Sequence, residues 1–100
     1  MIDLDARHIE SVKRILEAYV PGIEVRVFGS RVSGTARKFS DLDLALVAAE
    51  NIPFDRIEAL KDAFADSSLP FQVDALDWHA IGSSFRKVIE KKYEVVQEGN

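Results

Sequence analysis

The run Asp41-Leu42-Asp43-Leu44-Ala45-Leu46 sets a leucine against an acidic or small residue at every step. Period-two alternation of this kind reads as a half-buried strand. Leu42, Leu44 and Leu46 share one face and enter a core, while Asp41 and Asp43 share the other, roughly 7 Å apart along the strand. Aspartate is disfavoured within strands, so two of them flanking one leucine call for a physical reason. Carboxylates aimed at a common region repel one another unless a cation lies between them. Hard divalent ions such as Mg²⁺ take oxygen ligands and keep positions open for substrate phosphates. Ten residues separate Asp41 from Gly29-Ser30, which closes an apolar run. A turn there offers backbone N–H groups and the Ser30 hydroxyl to phosphate. The whole stretch, GSRVSGTARKFSDLDLAL, points to metal-assisted phosphoryl or nucleotidyl transfer.

The rest of the chain supplies a frame for that strand. Ile9, Val12, Leu16 and Tyr19 recur at three- and four-residue steps, which predicts a helix over 5–19, capped by Asp3 or Asp5 and stopped by Pro21-Gly22. Glu24 to Phe28 reads as a strand, followed by a short helix or turn from Arg31 to about Thr35 and a polar loop to Ser40. Leu42 to Val47 is the second strand. Pro53 suits the first turn of a helix ending near Ala65. Phe71 to Leu76 reads as a third strand. Asp77 is expected to cap a final helix over Trp78–Lys92, and Tyr93 to Gln97 either adds a short strand or trails off. This order predicts an α/β (α+β) architecture: one domain over residues 1–100, with a small mixed sheet and helices packed on one side.

Composition narrows the function classes. One hundred residues leave no room for a second globular unit. A net charge of −4 and a pI near 5.1 argue against general affinity for nucleic-acid backbones. The local cluster Arg31, Arg37 and Lys38 suits a triphosphate better than a duplex. There are no cysteines, so disulfides and thiolate metal sites are excluded, in keeping with a cytoplasmic location. The N-terminus lacks a secretory pattern, and no apolar run has the length to span a bilayer.

Each candidate also has a plainer reading. A lone Gly-Ser is an ordinary strand-to-helix turn, and only the Asp41-x-Asp43 pair at this spacing favours the phosphate role. Arg31 and Lys38 are either phosphate contacts or solvated loop cations. Asp74, in FQVDALDW, reads equally well as an edge-strand carboxylate or a site residue. Asp77 is a helix cap rather than a ligand. His8 and His79 read as surface residues, Trp78 as a packing or interface residue. Arg86, Lys87, Lys91 and Lys92 suit the C-terminal end of a helix.

Gly29-Ser30, ten residues, then Asp41-Leu42-Asp43 resembles the signature of the DNA polymerase β-like nucleotidyltransferases. The whole-chain pattern is similar to the minimal nucleotidyltransferases, small proteins encoded beside a HEPN-domain partner. The resemblance runs from about Val25 to the C-terminus. It implies the polymerase β-like fold, with Asp41 and Asp43 coordinating Mg²⁺ (two ions, with Mn²⁺ an alternative) and Asp74 as third ligand. It further implies that Gly29 and Ser30 hold the phosphates of ATP, with Arg31 and Lys38 as candidate contacts. The implied activity is transfer of AMP to an acceptor hydroxyl, a tyrosine on a HEPN-family RNase toxin, in a hetero-oligomer with that toxin. Two other readings stay open: an antitoxin that neutralises by contact alone, and a transferase acting on a small molecule such as an aminoglycoside.

Overall fold

The computed structural model describes residues 1–100 as four strands and four α-helices. Helix α1 (Ala6–Tyr19) leads into β1 (Glu24–Phe28), the single turn α2 (Ser30–Ser33) and β2 (Leu42–Val47). Then follow α3 (Phe54–Ala65), β3 (Val73–Asp77), α4 (Ser83–Lys91) and β4 (Glu94–Gln97). The sheet has the order β3-β2-β1-β4. β1 runs antiparallel to both β2 and β4, and β2 runs parallel to β3, the pair that α3 connects. A parallel pair needs such a crossover, whereas β1 and β2 need only a loop. The expected mixed sheet is present, and the C-terminal segment does add a strand.

The leucine face behaves as the alternation requires. Leu42, Leu44 and Leu46 are fully buried against Val25 and Val27 of β1 and against Val12, Leu16, Leu60 and Phe64 of α1 and α3. Each such leucine contributes about 1.5–3 kcal/mol relative to exposure. Asp5 caps α1 by accepting from the Arg7 N–H at 2.9 Å. Gly22, at φ 74°, turns the chain after the helix, a backbone region that glycine enters without steric cost.

The opposite face is less open than a surface of carboxylates suggests. Ala45, on the same face as Asp43, is fully buried. Its neighbour across the β1 register is Arg26, whose guanidinium lies 5.0 Å from the Trp78 ring centre and 4.4 Å from that of Tyr93. Arg26 also pairs with Glu24, and Arg86 donates to the Trp78 carbonyl at 2.9 Å. Trp78 is therefore a packing residue. α1 and α3 occupy the leucine face, while α4 reaches the other face where Phe85 meets Phe28 edge-on, ring centres 5.8 Å apart.

Three local expectations change. β3 covers Val73–Asp77 rather than Phe71 to Leu76, because Phe71 turns to an arginine described below. The final helix is not continuous over 78–92. A 3₁₀ turn (Trp78–Ala80) comes first, and α4 starts at Ser83 after the extended Gly82. Asp77 does cap, accepting from the His79 N–H at 2.9 Å, but its second oxygen takes the Ile52 N–H at 3.0 Å. That second bond holds the turn against the β2–α3 loop, which a continuing helix could not follow. His79 and His8 are not free surface groups. A His79 ring nitrogen lies 2.7 Å from the Ala48 carbonyl, and His8 packs edge-on against Phe71. No helix is long and apolar enough to cross a membrane.

Truncating Leu44 to alanine is expected to cost about 2–5 kcal/mol in urea unfolding. Phe54→Ala removes a ring that is 78% exposed and should change stability by no more than about 0.5 kcal/mol.

Candidate active site

Gly29 and Asp43 are separated in sequence but touch in the fold. Phe28 and Asp43 are partners in the β1–β2 register, so the residue just after β1 arrives beside the Asp43 side chain. Gly29 has φ 78° and ψ −154°, open to glycine and costly for any other residue. A Cβ added there would collide with Asp43 Oδ2 and stand 3.3 Å from its Cγ. The missing side chain of Gly29 is thus the seat of the Asp43 carboxylate. The Gly29 carbonyl accepts the N–H groups of Val32 and Ser33, each at 3.0 Å, which closes α2. Gly34, at φ 87°, ends it. One turn carries little of a full helix dipole, so what α2 offers at its head is chiefly N–H groups left without intrahelical partners.

The carboxylates come from adjacent strands. Asp43 sits on a central strand, and its partner across the parallel β2–β3 register is Asp74. Register partners lie about 4.8 Å apart across a sheet, with side chains on one face. Asp41 stands immediately before β2. Burial first, then repulsion from Asp74, then from Asp41, raises the Asp43 pKa above its usual value near 3.8. The three side chains do not close on a single point at metal-ligand distance, as expected of like charges facing one another. Their chemistry nonetheless fits a hard divalent cation: oxygen donors, one of them seated against a glycine, and no protein cation paired with any of them.

The two basic candidates separate. Arg31, though expected as a phosphate contact, is only 5% exposed. Its guanidinium donates to the backbone carbonyls of Asp3 (2.9 Å), Lys38 (3.2 Å) and Ser40 (2.8 and 3.2 Å). Its flat side lies 4.7 Å from the Phe71 ring centre. The sequence could not show that all three guanidinium nitrogens of this α2 residue donate to backbone carbonyls. Lys38 remains exposed, its ammonium 5.4 Å from the Phe39 ring centre.

Two features had no sequence signal. The Phe28–Phe85 pair flanks Asp43 on the β1 side, which depends on the register across a thirteen-residue connection, residues 29–41. On the other side, a groove of about 530 Å³ runs between α3 and β3, lined by Phe64, Leu69, Phe71, Val73 and Asp74 among others.

The glycine-seated Asp43 carboxylate and its two acidic neighbours thus stand at one end of the small mixed sheet. The polymerase beta nucleotidyltransferase family matches residues 10–100, and the chain belongs to that family. It is 45% identical over 97 residues to a probable protein adenylyltransferase, MntA, of Haemophilus influenzae, covering 97% of this chain and 85% of the relative. Among solved structures, it superposes with a TM-score of 0.76 on a chain from a toxin–antitoxin crystal structure containing AMP-PNP. The identity there is 22%, over 92% of this chain and 74% of the other. A second match, with a TM-score of 0.69 and 18% identity, is to a chain from a tri-AMPylated HEPN toxin of Shewanella oneidensis in complex with an MNT antitoxin. It covers 92% of this chain and 71% of that one. At these identities the two solved structures attest the fold.

Because the folded-state pKa of Asp43 is raised, the folded chain holds this proton more tightly than the unfolded chain. The stability linked to it is complete below about pH 3.8 and is lost as pH rises through the folded value. Asp43→Asn is therefore expected to raise the melting temperature of the metal-free protein near neutral pH, with the gain vanishing in acid. Thermal melts across pH check this, and an equal gain at both ends would contradict it. Gly29→Ala should cost about 1–3 kcal/mol from its backbone angles alone and more from the collision. The cost should shrink in an Asp43→Ala background, as a double-mutant cycle would show.

Proposed function

We propose that this chain transfers AMP from ATP to a hydroxyl, a tyrosine of a HEPN-family RNase toxin, and so acts as that toxin's antitoxin. The observation that carries the reading is the contact of Gly29 with Asp43, with Asp74 in register beside it. It joins a phosphate-binding turn to a carboxylate cluster in one place. The 45% identical relative, a probable protein adenylyltransferase, supports the reaction type. The AMP-PNP and the tri-AMPylated toxin in the matched complexes support the nucleotide and the acceptor class.

Asp41, Asp43 and Asp74 would hold the divalent ions, two of Mg²⁺ or Mn²⁺, which supply charge stabilisation at the attacking and leaving oxygens. The N–H groups at the head of α2 and the Ser30 hydroxyl hold the triphosphate. The acceptor oxygen bonds to the α-phosphorus, the bond to the β-phosphate oxygen breaks, and pyrophosphate leaves. Asp74, at the exposed sheet edge, would help the acceptor hydroxyl lose its proton. Phosphoryl chemistry of this kind depends mainly on positioning and electrostatics, which a domain this small can supply. AMP on the toxin adds bulk and negative charge where its RNA substrate must bind. The pair would act as a cytoplasmic hetero-oligomer.

The test is the intact mass of the HEPN protein after incubation with this chain, ATP and Mg²⁺. A gain of one or more AMP units is expected with wild type and none with Asp43→Asn. Stable complex formation without any gain would instead establish neutralisation by contact. Asp74→Asn should keep ATP binding and lose about 10²–10⁴-fold in transfer rate, and unchanged turnover would reject its role.

A further inference from the structure

Arg31 departs from the expected pattern of a site cation. It is buried, it lies one residue beyond Ser30 of the phosphate turn, and no carboxylate pairs with it. Its four hydrogen bonds all go to backbone carbonyls. Taking a guanidinium out of water without an anion is expensive, so its retention calls for a job that those carbonyls define.

The carbonyls are informative in their placement. Lys38 and Ser40 flank Phe39, and the Ser40 carbonyl belongs to the peptide that leads into Asp41. That carbonyl receives two of the four bonds, from Nε and Nη2 at 3.2 and 2.8 Å. The loop is braced from within as well: the Arg37 N–H donates to the Ser40 hydroxyl at 2.8 Å, and the Ser40 N–H donates to the Arg37 carbonyl at 3.1 Å. Behind the guanidinium, the N-terminal segment closes a reciprocal pair. The Asp3 N–H donates to the Arg31 carbonyl at 2.7 Å, and Arg31 Nη1 donates to the Asp3 carbonyl at 2.9 Å. Phe71 stacks on the guanidinium and is itself met edge-on by His8 of α1. Asp43 needs no such support, since it is held in a central strand. Asp41 lies just outside β2: the Leu42 N–H that follows it donates to the Gln72 carbonyl at 2.9 Å, while on its N-terminal side the loop alone holds it.

We propose that Arg31 is a positioning residue for the metal site: it grips the peptide preceding Asp41 and fixes that carboxylate relative to the phosphate turn and Asp43. This rests on the reading of Asp41 as a metal ligand. A planar fork with donors in fixed directions can hold three carbonyls at once, whereas a lysine ammonium is a compact point charge. Arg31→Lys therefore preserves the charge and removes the geometry.

The experiment measures Mn²⁺ binding by the paramagnetic resonance of the free ion, with AMP-PNP present, for wild type, Arg31→Lys, Arg31→Met and Phe71→Leu. Circular dichroism at the same temperature reports folding. Loss of a group that orients a metal ligand typically weakens metal affinity about 10–100-fold. That weakening is expected for both Arg31 variants in protein that is still folded, with a smaller shift in the same direction for Phe71→Leu. Folded Arg31 variants that melt earlier yet bind Mn²⁺ as wild type does would overturn the proposal and leave Arg31 a stability residue. Should the Arg31 variants not fold, Phe71→Leu decides: unchanged Mn²⁺ affinity overturns the proposal, and weakened affinity upholds it. Wild type that binds no Mn²⁺ would defeat the metal-site reading itself, a separate outcome.

Discussion

The seating of one carboxylate against one glycine organises this molecule. Asp43 projects from a central strand of the sheet, where its flanks are occupied by β1 and β3. Space for its oxygen exists because residue 29 has no Cβ. The same glycine turns the chain from β1 into α2 and presents the head of that turn beside the carboxylate. Strand register, turn geometry and site chemistry are thus one constraint. Any slip of β1 against β2 by a single residue would put Asp43 in the core and a leucine at the site, so the buried leucines that stabilise the fold also aim the carboxylate.

That arrangement stores electrostatic tension. Three acidic side chains share one end of the sheet, and the central one titrates high through burial and the charges of Asp74 and Asp41. A chain selected for stability alone would not place them so, because neutral residues would remove the repulsion. The opposition between local stability and site chemistry is the usual mark of a functional position. The leucine face, with α1 and α3 packed over it, carries the offsetting burial.

Much of this was legible in the sequence for a definite reason. Alternation over Asp41–Leu46 encodes face and strand together, so β2, its buried leucines and its carboxylate face could be read directly. α1 followed from its periodicity and the Pro21-Gly22 stop, and β1 from the β-favouring Val25, Val27 and Phe28. What escaped were outcomes of long-range pairing. A loop arginine next to a phosphate turn reads as a phosphate contact, and only the folding of Asp3, Lys38 and Ser40 around it reveals that its donors are already used. The final helix read as continuous because Ile81, Phe85, Val88 and Ile89 keep helical spacing. The break comes from Asp77 bonding to Ile52, twenty-five residues earlier. Burial of Ala45 likewise depends on Arg26 and Trp78 meeting across the sheet.

The asymmetry about Asp43 follows from the strand order. On the β1 side stand Phe28 and, against it, Phe85, an apolar flank. On the β3 side stands Asp74 at the sheet's edge, with the groove toward α3 beyond it. An exposed edge strand is a liability for unwanted pairing, and a charged residue on it is one means of blunting that risk. Asp74 therefore blunts the edge while standing in register with Asp43. The polar side of Asp43 and its access from solvent coincide on β3 because, of the two strands beside β2, β3 alone is an edge strand. The opposite edge strand, β4, is separated from Asp43 by β1.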